Sequence, residues 1–245
     1  RPPRSTPSNS SAASDVYKRQ EETDGIRIIR VKTFPSSNKN IFGRIANYVT
    51  FMVLSCLFCG LVKDVDVVIS TSPQIFCGFA GFVISRIKRK PWILEIRDLW
   101  PDSIVAVGAS SEHSLVIKIL KYLESFMYRW ADHIIPVVPG FKNYISERGA
   151  FSKNISVITN GVDLARFSPR PKNSSIVERY NLVDKFVVSY IGTYGMAHAL
   201  QTVLKAADYL RNEKKIVFLL VGGVGEDEQR LKKLAKDLDV EDRVI

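Results

Sequence analysis

Phe186-Val187-Val188-Ser189-Tyr190-Ile191-Gly192-Thr193-Tyr194-Gly195 decides the fold. An apolar run rich in β-branched and aromatic residues reads as a buried strand, and here it ends in a tight glycine loop. A helix pattern follows from Ala197 to Arg211, and its first acidic residue is Asp208. A helix N-terminus carries about half a positive charge and unpaired N–H groups, so an acid-free first turn behind such a loop suits an anion. The next strand and loop, Val217–Val221 into Gly222-Gly223-Val224-Gly225, differ because their helix opens on Glu226, Asp227 and Glu228. Those carboxylates already compensate the helix dipole and repel phosphate. The loop also fails as a dinucleotide fingerprint, since the third glycine of G-x-G-x-x-G falls at Glu228. It reads as a turn with an acidic cap that faces the neutral part of a ligand.

Working outward, strand-like runs alternate with helical periods for the whole length after residue 20. Expected strands are Ile26–Lys32, Val65–Ser70, Trp92–Arg97, His133–Val138, Ile155–Thr159, Phe186–Ile191 and Ile216–Val221. Expected helices are Ile41–Lys63, Gln74–Ile87, His113–Ala131, Gly140–Arg148, Ala197–Arg211 and Glu226–Leu238. Near-continuous apolar strands separated by helices predict an α/β fold whose parallel sheets are covered on both faces. Residues 164–185 interrupt the rhythm with Pro169, Pro171, Asn173, Ser174 and Ser175, which reads as a linker. The expected organisation is a Rossmann-like domain over 21–163, that linker, and a second Rossmann-like domain over 186–245. Both are expected to be incomplete, since the chain starts without a first strand and stops two residues into a last one.

Residues 1–20 are set apart as a leader. Ser10 to Gln20 resembles the translated read-through of a sequencing-library adapter, and Arg1–Asn9 is Pro/Ser-rich without a hydrophobic period. The chain carries a formal charge of +10. The leader holds Arg1, Arg4, Lys18 and Arg19 against Asp15, so +7 lies beyond it. A basic balance points to an anionic partner. Zinc-finger spacing, aromatic-basic RNA motifs and a basic region leading into heptads are all missing, which favours anionic lipid and nucleotide-sugar phosphates over nucleic acid. Cys56, Cys59 and Cys77 make no disulfide framework, and a cytoplasmic setting is the default. Cys56-x-x-Cys59 lies inside an apolar run, where small buried hydrophobes or a redox pair are the two readings.

Ile45–Val62 is free of charge for eighteen residues between Arg44 and Lys63, at the lower limit for crossing a bilayer. Three readings stand: a spanning helix, a core helix, or a helix whose outer face touches lipid. Lys39, Arg44, Arg86, Lys88, Arg89 and Lys90 could draw anionic headgroups, or form a solvated basic rim.

Trp92 to Asp102 is a strand whose polar cluster comes at its carboxyl end, while Glu95 points the other way along it. Ligands of open α/β sheets bind outside that end, which places Arg97, Asp98 and Asp102 beside a substrate. An Asp–Arg pair that only staples the loop is the alternative.

Three segments carry a resemblance: Arg97-Asp98-Leu99-Trp100-Pro101-Asp102-Ser103, Asn160-Gly161-Val162-Asp163 with Phe167 and Pro169, and Gly192 to His198. In this order and spacing they resemble glycosyltransferase family 4, and within it the WbuB-like enzymes of bacterial O-antigen and capsule assembly. The likeness runs from Asp24 to Ile245, and includes Tyr48–Leu57 and the strand ending in Ser-Thr-Ser-Pro.

The resemblance implies a GT-B architecture, with an acceptor on the first domain and a sugar nucleotide on the second. It implies retaining, metal-independent transfer from a nucleotide-sugar to a polyprenyl-diphosphate-linked glycan, with no cofactor, at the inner face of the cytoplasmic membrane. Donor-binding falls to Gly192, Thr193, Gly195, Met196, Ala197 and His198, with Asn160, Gly161 and Gly223. Asp98 and Arg97 become catalytic, and Arg97, Trp100 and Asp102 face the acceptor. His198 is the one nearby candidate cation where relatives often supply Arg and Lys, and a purely structural histidine is its alternative reading. The paired glutamates of the family are expected beyond Ile245, which would leave this chain inactive alone. A sugar-nucleotide epimerase on the same frame, and a non-catalytic nucleotide-sugar or membrane-docking module, are the competing readings.

Overall fold

The computed structural model describes residues 20–33, 41–106, 108, 110–222 and 228–245. The chain divides into two units, Arg1–Gly161 and Val162–Ile245.

The first unit opens with an antiparallel hairpin of β1 (Gln20–Thr23) and β2 (Ile26–Ile29). Asp24 and Gly25 both hold positive φ, 53° and 77°, the backbone that a two-residue hairpin loop requires. Gln20, placed in the leader by sequence, is therefore a strand residue, and the hairpin is an element that the parallel pattern did not anticipate. Its central sheet is parallel, in the order β3 (Val68–Thr71), β4 (Trp92–Ile96), β5 (His133–Pro136). The expected strand at Ile155–Thr159 shrinks to an edge segment. Ile155 bridges Ile134, and the amides of Ser156 and Ile158 donate to the carbonyls of Ile134 and Pro136. β3 starts three residues later than its sequence suggests, because Asp64 turns the chain at φ 54° and Asp66 stays in solvent.

The described residues of this unit form five helices, α1 (Ile41–Phe58), α2 (Ile75–Lys88), α3 (Asp102–Ala106), α4 (Leu115–Trp130) and α5 (Phe141–Glu147); α2 lies on β3 and β4, α1 packs on α2, and α4 and α5 bring side chains into the core. Ser114 starts α4 by accepting from the Ile117 amide at 3.2 Å, the side-chain cap that orphan N–H groups favour. β4 alternates as a strand between two layers should: Trp92, Leu94 and Ile96 are buried while Ile93 and Glu95 are half-buried. Together with Ile75, Met127, Tyr128, Ile134 and Ile145 they form the core. Each such side chain contributes about 1.5–3 kcal/mol when fully buried. The ordered carboxyl end of β4 rests on this packing.

In the second unit, β6 (Phe186–Ile191) and β7 (Ile216–Val221) pair in parallel over six residues, and Val244 bridges Phe218. α6 (Ser174–Arg179), α7 (Gln201–Tyr209) and α8 (Glu228–Asp237) accompany them. α6 lies inside the segment read as a linker. Asn173 caps it by accepting from the Ile176 amide at 3.3 Å, so the Pro/Asn/Ser composition marked a helix start as well as a break. Leu200, Leu204, Ala207, Phe218, Leu231, Ala235 and Val240 form the core of this unit.

Candidate functional site

Arg97 and Asp98 follow directly on β4 and open the loop that leads to α3. The Ser72 hydroxyl, at the end of β3, accepts from the Arg97 amide at 3.0 Å and donates to the Asp98 carbonyl at 3.3 Å. Backbone contacts thus fix the loop, while the side chains of Arg97 and Asp98 have no hydrogen-bond or ion-pair partner among the described residues. The two do not pair with each other, so the stapled-loop alternative is not what this geometry shows. Trp100 is half-buried and packs on the core behind them. The Ser72–Pro73 and Trp100–Pro101 peptide bonds are both cis.

Asp102 is held from inside. The Tyr144 hydroxyl donates to its Oδ2 at 2.7 Å, Arg148 reaches the same oxygen at 3.3 Å, and the Lys121 ammonium lies 3.1 Å from Oδ1. Partial burial works against its charge, but Tyr144, Lys121 and Arg148 outweigh that and hold its carboxyl below the usual range. This side chain, expected beside an acceptor, ties α3 to α4 and α5.

Behind Asp102 sits Glu124, 1% exposed on the core face of α4. Burial is the dominant cause that lifts its carboxyl to about 7, although Tyr128 donates to Oε1 at 2.8 Å and Arg148 lies 3.7 Å from Oε2. Tyr144 lies 3.3 Å from that second oxygen. With one proton, Tyr144 donates to the closer Asp102, and a protonated Glu124 can donate to the Tyr144 oxygen. The Arg148 guanidinium stacks 3.4 Å from the Tyr144 ring centre. Sequence reading missed this cluster. Its signal was a carboxylate at the apolar positions of α4, seven residues after Ile117 and three before Met127.

In the second unit, the loop after β6 is less open than an anion cradle needs. Gly192 donates to the Val221 carbonyl at 2.9 Å, Gly195 to Thr193 at 3.1 Å, and His198 to Gly195 at 3.0 Å. Met196 and Ala197 begin a 3-10 turn, Met196–His198, and their N–H groups sit at its open start. Ala199 then takes φ 46° and α7 begins at Gln201, so exposed His198 is not in the first turn of α7 as its sequence position implied. Buried Leu200 explains the break, because it anchors the new helix start in the core. Tyr190 donates to the Thr193 carbonyl at 2.8 Å and Tyr194 to that of Leu220 at 2.6 Å, bracing the loop across β6 and β7.

Thr193 is exposed in this loop. Asn160 and Gly161 are exposed at the end of the first unit, just before a turn that Asp163 caps through the amides of Ala165 and Arg166. Gly223 lies outside the described residues. Cys56, Cys59 and Cys77 are free thiols, and burial pushes those of Cys56 and Cys77 up, away from reactive thiolate. Among the described residues no group of three or more His, Cys, Asp or Glu could hold a metal ion, and no helix is long and apolar enough to cross a membrane.

Comparison with known proteins gives this geometry its family. The glycosyl transferase 4-like domain matches residues 6–161, so the chain belongs to glycosyltransferase family 4, of GT-B type. That match begins within the segment set apart as a leader. WbjE of Pseudomonas aeruginosa, named as a glycosyltransferase, is 24% identical over 193 residues, covering 77% of this chain and 48% of WbjE. WcaI of Escherichia coli K12, whose name assigns it to colanic acid biosynthesis, is 24% identical over 177 residues, covering 70% of this chain and 43% of WcaI. The chain thus spans about half the length of the curated relatives it matches. Anabaena Alr3699/HepE, solved with UDP, shares the fold at a TM-score of 0.63 and 18% identity, over 88% of this chain and 55% of HepE.

Proposed function

We propose that this chain contributes the acceptor side and part of the donor side of a retaining, metal-independent sugar transferase. The reaction moves a sugar from a nucleotide-sugar to a polyprenyl-diphosphate-linked glycan in bacterial surface polysaccharide synthesis. The unpaired side chains of Arg97 and Asp98 at the carboxyl end of β4 carry this reading. A carboxylate held only by its backbone can accept a proton from, or orient, an acceptor hydroxyl. A neighbouring guanidinium left unpaired can bind a phosphate of that acceptor. In the second unit the amides of Met196 and Ala197, at the start of the 3-10 turn that follows the glycine loop, support the donor diphosphate. HepE was solved with UDP, and WcaI is named for colanic acid biosynthesis, which supports the choice of donor and pathway class.

Peripheral attachment to the inner membrane face belongs to the same proposal. Ile45, Val53, Leu57 and Leu61 are exposed at spacings of eight, four and four along α1 and the 3-10 turn that continues it, Cys59–Leu61. Lys88 donates to the Val62 carbonyl at 2.6 Å, which sets a cation at one end of this aliphatic stripe. The deciding experiment replaces Asp98 by Ala in the protein that carries this chain and profiles polyprenyl-linked glycans by mass spectrometry. Accumulation of the unextended acceptor is expected, and unchanged glycan assembly would refute the transferase reading.

A further inference from the structure

A pocket of about 410 Å³ opens in the first unit between α1, the residue Thr33 and the turn from β3 into α2. Its size falls within the roughly 300–1,000 Å³ of small-molecule sites. Ser72 lies in its wall, and the same hydroxyl binds the Arg97 amide and the Asp98 carbonyl. The pocket is therefore one side chain away from the loop that carries the candidate catalytic pair.

Its chemistry is unusual for a basic protein: none of the nine lining residues carries a formal charge, and the Cys77 thiol is kept neutral by burial. A phosphate would find no cation among the described lining residues. A prenyl chain fits less well, because the side chains of Thr33, Asn47 and Tyr48 would lose water to an apolar guest without repayment by hydrogen bonds. The side chains of Thr33, Asn47 and Tyr48 are half-buried and have no hydrogen-bond partner among the described residues. Phe51 and Tyr48 add aromatic faces one helical turn apart on α1.

Unsatisfied hydroxyl and amide groups beside aromatic faces, with no charge, complement a ligand that is neutral, rich in hydroxyls and apolar on its ring faces. We infer that this pocket binds a neutral pyranose unit of the acceptor glycan, with Asn47 and Tyr48 donating or accepting to its hydroxyls and Phe51 against its C–H face. This inference rests on the transferase reading and specifies what its acceptor side recognises.

The test is saturation-transfer NMR on the full chain with methyl glycosides of glucose, galactose, N-acetylglucosamine and N-acetylgalactosamine. Inorganic pyrophosphate and a short prenyl alcohol serve as competitors. At least one glycoside should bind, neither competitor should displace it, and loss of one hydrogen bond in Asn47→Ala should weaken it about tenfold. Tyr48→Phe removes only a hydroxyl and guards against misfolding, and it too should weaken binding. No glycoside binding, displacement by the prenyl alcohol or by pyrophosphate, or unchanged affinity in both variants would overturn the assignment. Failure of the transferase reading looks different: glycoside binding that persists and depends on Asn47, together with glycan assembly indifferent to Asp98→Ala.

Discussion

Ser72 holds Arg97: one hydroxyl, placed at the end of β3, accepts the amide of the first residue beyond β4 at 3.0 Å and passes its own proton to the next carbonyl. Two strand ends are thereby locked into one rigid edge, and the side chains of Arg97 and Asp98 project from a fixed backbone. Ser72→Ala removes both bonds and should cost about 1–3 kcal/mol of stability to the first unit. Amide exchange at Arg97 should accelerate with it, which hydrogen-exchange mass spectrometry would reveal. Unchanged protection at Arg97 would show that the loop is held by other means.

Asp98→Asn keeps the shape of the loop but takes away the proton acceptor. If Asp98 acts on the acceptor hydroxyl, turnover should fall by roughly 10²–10⁴ with little change in donor affinity. Steady-state kinetics on the protein that carries this chain, at saturating nucleotide-sugar, would check both quantities.

Glu124 makes stability depend on pH with a definite sign. Its carboxyl is raised from 4.5 to about 7 in the folded protein, so the folded state holds its proton more tightly than the unfolded chain. The favourable contribution is full below about 4.5 and disappears as pH rises towards 7, a change on the order of 3 kcal/mol. Glu124→Gln can still accept from Tyr128, and it should flatten this decline. Thermal unfolding between pH 5 and 8 should show wild type losing more stability than the variant over that interval, and parallel curves would contradict the assignment.

Gly222 cannot carry a side chain without rearrangement. A Cβ there would lie 2.6 Å from the Gly192 carbonyl oxygen and 2.4 Å from the Tyr194 ring. Gly222→Ala should therefore displace Gly192 and the Tyr194 ring and destabilise the second unit by about 1–3 kcal/mol. Denaturant titration would measure this, and if the loop after β6 holds the donor as proposed, nucleotide affinity should drop alongside.

Leu57 is 69% exposed within the aliphatic stripe of α1. Insertion of one leucine contributes about 1.5–3 kcal/mol, so Leu57→Ser should lower binding to anionic lipid vesicles by about an order of magnitude or more. Sedimentation with phosphatidylglycerol vesicles would detect the change, and equal binding by both proteins would remove lipid contact from the proposal.

Much of the fold was legible because its strands announce themselves. β6 and β7 match their expected ranges to the residue, and β4 differs only at Arg97, since continuous apolar runs flanked by turns leave little choice. Boundaries failed where tertiary contacts decide. Leu200 resets the start of α7, and Asn173 begins a helix inside an apparent linker. Arg97 and Asp98 could be placed because strand-end position follows from strand assignment. The cluster around Glu124 could not, because Tyr144 and Arg148 come from a helix about twenty residues away and meet it only after α5 packs on α4. The inward hold on Asp102 was hidden for the same reason.

Asp102 and Glu124 also lean in opposite directions within one corner of the first unit, the former favouring its charged form and the latter its neutral one. Mild acidification relaxes Glu124 well before it threatens Asp102. The corner is thus firmest in a weakly acid window, and it loosens on the alkaline side through one carboxylate and on the strongly acid side through the other.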